Sequence, residues 1–257
     1  MRNGCDAIAI TDHDTTDGLV EARAACAREG LRLIPGVEIS VSWAANIDSK
    51  STTIHIVGLN IDASNAALEA GLASIRDGRA ARAIEMGESF LAAGYEGMTE
   101  AAYAFANNKS MIGRTHFARV LVDRKIVKNI GHAFERFLTR GKPGYVAHAW
   151  ASLADAVRWI TGAGGIAVIA HPGRYNLAEA DMTQLITEFM KAGGTAIEVV
   201  TGSHAPRDLR TYAVRAKEFG LLASRGADFH GLGESKFEPG KIGPLPDDVI
   251  PVWSRFA

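Results

Sequence analysis

Cysteine is scarce in this chain of 257 residues, which contains Cys5 and Cys26 and no other. Two cysteines do not build a disulfide scaffold, and we expect a cytoplasmic protein, because structural disulfides accumulate in oxidising compartments. Long apolar runs are missing too. Runs such as 165–170 and 196–200 fall far short of the ~20 residues of a membrane-spanning helix.

An excess of charge of one sign is also missing, because 28 Lys and Arg residues oppose 29 Asp and Glu residues. A net charge of −1 provides no broad basic face for duplex DNA. Apolar residues make up 47% of the chain, which excludes intrinsic disorder. The length fits one large α/β domain, a barrel with an insertion, or two domains.

Short apolar runs alternate with helical patterns along most of the chain. The predicted helices cover 19–29, 153–163, 182–192 and 206–219. The predicted strands cover 7–11, 32–41, 53–60, 165–170, 196–200 and 221–224. Because this alternation is typical of βα units, we expect an α/β fold with a mostly parallel sheet or barrel.

Residues 63–145 interrupt the alternation and are predicted to form an all-helical insertion. The helices predicted there cover 66–93, 99–106, 114–122 and 129–138. The insertion divides a predicted barrel domain formed by 1–62 and 146–257. Residues 107–145 contain nine basic and two acidic side chains. This charge fits either a solvated helical surface or a basic lid above an acidic site for an anionic substrate.

Histidine and acidic residues occur in or directly after the predicted strands. In a parallel barrel the carboxyl ends of the strands meet on one face, where barrel enzymes build their sites. We therefore expect distant side chains to converge in space: His13, Glu38, His55, His171, His204, Asp228 and His230. His132 and His148 match no strand end and are expected to be ordinary surface or hydrogen-bonded histidines.

Two of these side chains stand in strongly apolar surroundings. Glu38 lies between Val37 and Ile39, and His55 lies in a β-branched run. A buried acid is usually paired or metal-bound, and an unpaired buried imidazole is costly. Histidine and carboxylate ligands without cysteine suit Zn²⁺, Mn²⁺ or Fe²⁺, and their number implies more than one ion. Neighbouring ions generate hydroxide at neutral pH and clamp the oxygens of a phosphoryl group.

The chain resembles the PHP (polymerase and histidinol phosphatase) superfamily at five segments, in their order and spacing. They are TDHDTTDG at 11–18, GVEIS at 36–40, HIVG at 55–58, AHPGRY at 170–175 and DFH at 228–230. In the insertion, GRTH at 113–116 and GKP at 141–143 resemble the branch of nucleoside 3′,5′-bisphosphate phosphatases and the related bacterial 5′→3′ exoribonuclease.

The resemblance implies a distorted (β/α)₇ TIM-like barrel with a trinuclear metal site. It implies hydrolysis of nucleoside 3′,5′-bisphosphates, or of 5′-terminal nucleotides of short RNA, by metal-activated hydroxide.

We expect Mn²⁺, with Zn²⁺, Fe²⁺ and Mg²⁺ as alternatives. The implied metal ligands are His13, Glu38, His55, His171, Asp228 and His230, and the catalytic residues among them are His13, Glu38, His171 and Asp228. The implied substrate-binding residues are Arg114 and His116, with Arg174 and His204 as further candidates, and Asp12 would orient His13.

One part of the family pattern is missing. Members of the superfamily begin with a strand that ends in an H-x-H motif near an S-D-G, and no H-x-H occurs in this chain. The chain opens one βα unit later, a difference of about 25 residues. Either the start codon is assigned too far downstream or the gene product lacks part of its site. We expect the chain as written to bind metal poorly, with fewer than three ions, and to expose a strand edge beside 7–11.

Two other functions stay open on these residues. One is an amidohydrolase-like barrel that cleaves C–N bonds, although no lysine stands at a strand end to bridge its metals. The other is a non-catalytic remnant that binds phosphate or nucleotides. The expected partner is a small phosphorylated nucleotide or a short RNA 5′ end, without duplex DNA or membrane, and the patterns do not indicate an oligomeric state.

Overall fold

A computed structural model describes residues 4–46, 49, 51–147, 150–231 and 235–256. The chain divides into two compact units, one formed by Met1–Leu72 and Ala151–Ala257 and the other by Ala73–Trp150. The second unit overlaps the predicted insertion, 63–145, with different limits. The candidate site of the next section lies entirely in the first unit.

Six strands lie side by side in chain order among the described residues. They are β1 (Ala7–Ile10), β2 (Arg32–Trp43), β3 (Thr52–Leu59), β4 (Ile166–Ile169), β5 (Ala196–Thr201) and β6 (Leu222–Gly226). Each corresponds to a predicted strand, with ends that differ by at most two residues. The expected α/β fold is confirmed.

The described sheet is mostly parallel, as expected, and β3 is the exception. β3 runs antiparallel to both β2 and β4, whereas β1–β2, β4–β5 and β5–β6 are parallel pairs. Eight residues separate β2 from β3, and a parallel pair needs a crossover of about a dozen residues or more. The start of β3 therefore lies at the edge of the sheet where the parallel strands end.

Eight α-helices are formed by the described residues. They are α1 (Gly18–Glu29), α2 (Ala66–Ala92), α3 (Met98–Ala104), α4 (Arg114–Asp123), α5 (Ile130–Ala133), α6 (Leu153–Gly162), α7 (Glu179–Lys191) and α8 (Pro206–Glu218). A π-helical turn, Phe134–Leu138, continues α5. Within the described chain, none of the helices is long and apolar enough to cross a membrane.

A helix connects the two strands of each parallel pair: α1 lies between β1 and β2, α7 between β4 and β5, and α8 between β5 and β6. α1 contacts β2, and α8 contacts β5. α1 ends at Gly30, whose φ of 65° lies in the left-handed region that glycine adopts without strain. α6 begins after Ser152, whose hydroxyl accepts a hydrogen bond from the N–H of Asp155. These helix ends allow the short loops that return the chain to the next strand.

The helical unit, Ala73–Trp150, has a core of its own. Phe90 of α2 stacks on Phe117 of α4 with ring centroids 5.8 Å apart. Leu121 and Phe137 are buried in the same cluster. Full burial of such a side chain stabilises the fold by about 1.5–3 kcal/mol, so this unit is held together by its own packing. Residues 66–147 form helices and no strand.

Candidate metal centre

Glu38 lies at the centre of a group of histidines. Its Oε1 is 2.9 Å from His55 Nδ1 and 3.0 Å from His171 Nε2. Its Oε2 is 3.6 Å from His13 Nε2. The two nitrogens of His55 and His171 are themselves 3.2 Å apart. The structure thus brings together four residues that the sequence analysis proposed as metal ligands.

His13 reaches this group from a turn that is docked on β2. The N–H of Asp14 donates to the carbonyl of Glu38 at 2.8 Å, and the N–H of Glu38 donates to the carbonyl of Asp12 at 3.1 Å. The buried carboxylate of Asp14 accepts hydrogen bonds from the N–H and the hydroxyl of Ser40 at 2.7 and 3.0 Å. These four bonds hold the turn, and with it His13, beside Glu38.

His55 enters the group because β3 is antiparallel. It lies near the start of β3, at the edge where the parallel strands end. In the ladder with β2, His55 pairs with Ser40 and Glu38 pairs with Val57. Glu38 and His55 are therefore diagonal neighbours on one face of the sheet, within reach of each other's side chains.

His171 follows β4 in an unusual backbone conformation. Its φ of 26° and ψ of 56° lie in a left-handed region that costs a residue other than glycine about 1–3 kcal/mol. The side chain is 3% exposed. Its Nε2 faces Glu38, while its Nδ1 is buried without a hydrogen-bond partner among the described residues. Strain of this kind persists only where the surrounding structure enforces it.

Asp228 and His230 follow β6 and approach the group from another side. Asp228 Oδ2 is 3.0 Å from Arg174 Nη1, and its φ of 52° is also left-handed. His230 is half exposed, and its ring centroid is 6.0 Å from that of His13. His230 therefore stands at the margin of the group, whereas Asp228 faces its interior.

Two overlapping sets of side chains have the spacing of a metal site. His13, Glu38 and His55 form one set, and Glu38, His171 and Asp228 form the other. Within each set the ligand atoms lie within 4.8 Å of one another. Glu38 belongs to both sets, so its carboxylate would be a ligand in each if both were occupied. Nitrogen and oxygen donors without sulfur fit Zn²⁺, Mn²⁺ or Fe²⁺, so these residues fit a divalent-cation centre.

The charges of this centre keep Glu38 ionised. Burial alone would raise its pKa, but the nearby His13 and the hydrogen bonds from His171 and His55 outweigh burial. They hold the pKa of Glu38 well below its ordinary value of 4.5. Burial raises the pKa of Asp12, and His13 opposes that shift. Glu38 is accordingly an anion at neutral pH, as a metal ligand must be.

A cavity of about 970 Å³ adjoins the centre. Ile8, Ile34 and Leu59 are among the apolar side chains that line it, and the site residues that line it are His13, Glu38, His171, Asp228 and His230. Ligand pockets for small molecules commonly have volumes of roughly 300–1,000 Å³. The centre therefore borders a space that is large enough for a nucleotide-sized ligand.

Arg174 and His204 differ in whether their side chains still have hydrogen-bonding groups that could contact a ligand. Arg174 is about half exposed beside Asp228, so its guanidinium has donors for a ligand. His204 Nδ1 is 3.0 Å from the carbonyl of Val199, and its Nε2 accepts the N–H of Gly173 at 3.1 Å. Both ring nitrogens of His204 are thus engaged within the protein.

Arg114 and His116 lie at the start of α4 in the helical unit. His116 Nδ1 accepts the N–H of Gly113 at 3.1 Å, and burial together with Arg119 lowers the pKa of His116. The guanidinium of Arg114 lies 5.6 Å from the ring centroid of Phe134, and burial lowers its pKa. His116 is therefore neutral at pH 7 and Arg114 remains a cation.

Further arginines, which the sequence analysis did not single out, lie near Arg114. The guanidinium groups of Arg79 and Arg82 lie 4.5 and 5.7 Å from the ring centroid of Trp150. Arg82 is 8% exposed, and its Nε donates to the carbonyl of Val146 at 3.1 Å. Burial, and then the like charges of Arg114 and Arg79, lower the pKa of Arg82 to about 10.

Glu198 of β5 is a further residue that the sequence analysis missed. It is 8% exposed, and its Oε2 accepts the N–H of His171 at 2.6 Å. Burial raises the pKa of Glu198 to about 8, although the bond from His171 opposes the shift. An acid inside the apolar run AIEVVT is the same signal that identified Glu38, and it would have found Glu198.

Tyr175 belongs to the motif AHPGRY, and its hydroxyl connects the backbone of His55 to that of Ala170. Its hydroxyl accepts the N–H of His55 at 2.9 Å and donates to the carbonyl of Ala170 at 2.7 Å. Burial raises its pKa well above the ordinary value, so the hydroxyl stays protonated. Of the two histidines without a predicted role, His132 lies in α5 and His148 lies outside the described residues.

Proteins of known name resemble this chain over most of its length. No protein-family model matches it. A 3′,5′-nucleoside bisphosphate phosphatase of Chromobacterium violaceum is 51% identical over 246 residues, covering 96% of this chain and 84% of that protein. A 5′-3′ exoribonuclease of Haemophilus influenzae is 40% identical, covering 98% of this chain and 89% of that protein.

Two solved structures also resemble this chain over nearly its whole length. A Chromobacterium violaceum protein described as an amidohydrolase, with bound sulfate and no metal, superposes with a TM-score of 0.89 at 50% identity. The match covers 98% of this chain and 85% of that one. A protein of Bifidobacterium adolescentis assigned as a metal-dependent phosphoesterase superposes with a TM-score of 0.76 at 26% identity, covering 98% of this chain and 84% of that one.

The fold, the shared carboxylate among histidines and these likenesses define a hydrolytic enzyme, a metal-dependent phosphoesterase. The chain belongs to the family of these relatives, the 3′,5′-nucleoside bisphosphate phosphatase and the 5′-3′ exoribonuclease.

Proposed function

We propose that the protein hydrolyses a phosphate ester of nucleoside 3′,5′-bisphosphates, or removes nucleotides from the 5′ end of short RNA. The observation that carries the proposal is the buried carboxylate of Glu38 in contact with His13, His55 and His171. The names of the relatives, a bisphosphate phosphatase and exoribonucleases, support the substrate class.

The proposed ion of the centre is Mn²⁺, with Zn²⁺, Fe²⁺ and Mg²⁺ as alternatives. Bound divalent ions at such a site supply hydroxide at neutral pH and neutralise charge on the phosphoryl group. The residues proposed to hold them are His13, Glu38, His55, His171, Asp228 and His230.

The side chains of the chain have distinct tasks in this proposal. Glu38 remains ionised because its pKa is held far below neutrality, and it keeps the facing nitrogens of His55 and His171 directed at one point. Arg174 is the candidate for the reacting phosphate, since a guanidinium fork contacts two phosphate oxygens at once. His204, whose ring is engaged by backbone groups, would act on substrate only indirectly.

The helical unit, taken by itself, carries a second feature that suits phosphate. Arg79, Arg82 and Arg114 lie close enough for their like charges to lower the pKa of Arg82. A bound anion would relieve this repulsion, and arginine forks match phosphate geometry. Arg114 and His116 are therefore proposed to contact a substrate phosphate, with His116 as a neutral hydrogen-bonding group. The insertion, 63–145, is proposed to be the substrate subdomain.

We also propose that the six strands belong to a distorted (β/α)₇ barrel of the TIM type. The sequential strand order and the cavity bordered by both β1 and β6 support this arrangement. A cytoplasmic location stays a prediction, and it rests only on the scarcity of cysteine.

Phosphate release from 3′-phosphoadenosine 5′-phosphate in the presence of Mn²⁺ tests the proposed activity. Asp228→Ala should abolish it, because Asp228 belongs to one of the two ligand sets. Asp247→Ala, which alters an exposed acid outside the centre, is the matched control. A short 5′-phosphorylated RNA, assayed in parallel for released mononucleotides, separates the two substrates. Full turnover in Asp228→Ala would contradict the proposal, and tight nucleotide binding without turnover would favour a non-catalytic binding protein.

A further inference from the structure

Glu198 is a buried acid whose partner is a backbone group rather than a cation. It stands in β5 among apolar residues that are nearly inaccessible. Its Oε2 accepts the N–H of His171 at 2.6 Å, and none of the described Lys or Arg side chains forms an ion pair with it. A buried acid is costly in either protonation state, and one backbone hydrogen bond does not by itself explain its presence.

The backbone that Glu198 holds is the strained one of His171. The β4–β5 ladder ends at the pair Ile169 and Ile197. On the other side of β4, the N–H of Ala170 donates to the carbonyl of His55. The next N–H, that of His171, is therefore outside the ladder and bonds to the side chain of Glu198 instead. At this point φ becomes positive. The bond thus fixes the residue at which the chain leaves the sheet and directs the imidazole to Glu38.

The neighbouring strand leaves room for this carboxylate. A Cβ placed on Gly226 of β6 would lie 2.9 Å from Glu198 Oε1, and among the described residues no other atom outside 225–227 would be within 4 Å of it. The φ of Gly226 is not in the positive range, so the backbone there does not require glycine. The missing side chain at 226 serves to accommodate Glu198.

We infer that Glu198 is a positioning residue for the metal centre: it sets the orientation of His171 through the backbone N–H and thereby controls the affinity for divalent cations. This inference rests on the proposed role of His171 as a metal ligand. Glu198 itself belongs to neither ligand set. Its effect on the ions therefore passes through His171, and any group of the same length that accepts a hydrogen bond should preserve it.

Two variants separate the hydrogen bond from the charge. Glu198→Ala removes the acceptor, whereas Glu198→Gln retains an acceptor oxygen at the same distance along the side chain. Loss of a group that orients a metal ligand typically costs about 10- to 100-fold in metal affinity. We expect Glu198→Ala to weaken Mn²⁺ binding by about that factor in calorimetry, and Glu198→Gln to remain close to the wild-type affinity. With Co²⁺, the visible absorption spectrum should change in Glu198→Ala only.

Gly226→Ala provides a variant that leaves Glu198 in the sequence and displaces its carboxylate. It should weaken Mn²⁺ binding in the same direction as Glu198→Ala. Glu188→Ala is the structural control, since it removes an acid that accepts a hydrogen bond from Trp43 Nε1 at 2.8 Å away from the centre, and it should leave the Mn²⁺ affinity unchanged. If Glu198→Ala fails to fold, Gly226→Ala decides the question.

The amide resonance of His171 in the metal-free protein reports the link directly. A short bond to a carboxyl group should place this proton at low field in the wild type and in Glu198→Gln, and the signal should move in Glu198→Ala. Folded variants Glu198→Ala and Gly226→Ala with wild-type Mn²⁺ affinity would overturn the inference, as would equal loss in Glu198→Gln and Glu198→Ala. A wild-type protein that binds no divalent ion, while the His171 resonance still depends on Glu198, would refute the proposed function and leave the positioning of His171 established.

Discussion

Glu38 and His171 are 133 positions apart in the chain, yet their side chains meet with Oε1 3.0 Å from Nε2. Their exposed fractions are 7% and 3%. A buried ionic contact of this kind recovers its desolvation cost only with excellent geometry and further partners. Here the further partners are His55 and His13, and divalent cations shared by these side chains would offset the remainder.

Replacing Glu38 by glutamine should therefore remove metal binding. Glutamine keeps the size of the side chain but not its charge, and it offers a weaker ligand to both sets that share Glu38. We expect Mn²⁺ affinity to fall by at least about 100-fold, the upper range for groups that only orient a ligand, and metal-dependent phosphate release to fall with it. Calorimetry with Mn²⁺ measures the affinity, and Glu188→Gln is the matched control. An unchanged Mn²⁺ affinity in Glu38→Gln would mean that the ions bind at a site that does not include Glu38.

Much of this centre was predictable because its residues violate the local pattern. Glu38 and His55 interrupt apolar strands, so each has a cost that only a partner or an ion explains, and Asp228 comes two residues after the end of β6. Such violations are visible without a structure. Glu198 carries the same signal inside β5, one residue after the β4–β5 ladder ends, and a search for polar residues at strand ends does not find it.

Other features depend on contacts between distant segments. The direction of β3 follows from a connection of eight residues, and the length alone would have indicated an antiparallel pair. The positive φ of His171 has no such local signal, because neighbouring strands impose it. Arg79 and Arg82 both come from α2, whereas Trp150 is the last residue of the helical unit, and only packing within that unit brings them together.

Arg82 should contribute to the binding of a phosphorylated substrate. A hydrogen bond between charged groups is worth about 1.5–3 kcal/mol, so its loss corresponds to a factor of roughly ten or more. We expect Arg82→Met to raise KM for 3′-phosphoadenosine 5′-phosphate by about tenfold with a smaller change in kcat, and Arg82→Lys to recover part of the loss. Arg140→Met, which alters an exposed arginine of the same unit, is the control. Equal KM values in Arg82→Met and Arg140→Met, with both proteins folded by circular dichroism, would refute this role.

His204 should matter chiefly for stability. Its ring connects the carbonyl of Val199 to the N–H of Gly173, and alanine would leave both backbone groups without this partner. An unsatisfied buried group costs about 1–3 kcal/mol, so His204→Ala should lower the free energy of unfolding in urea by an amount in this range. Glutamine should restore part of it. A large rise in KM without any loss of stability would instead identify His204 as a substrate-binding residue.

The titration of Glu198 should appear in the pH dependence of stability. Its pKa is raised from an ordinary value of 4.5 to about 8 in the folded protein, so between these pH values the folded state binds the proton that the unfolded state has released. The free energy of unfolding then falls as pH rises through this window, because stability decreases with pH wherever the native state holds more protons. In Glu198→Gln this contribution is absent.

Urea unfolding of both proteins at pH 5, 6.5 and 8 with a chelator should show a wild type that loses stability relative to the variant as pH rises. Parallel stabilities across the three pH values would mean that the buried carboxyl of Glu198 titrates at its ordinary pKa.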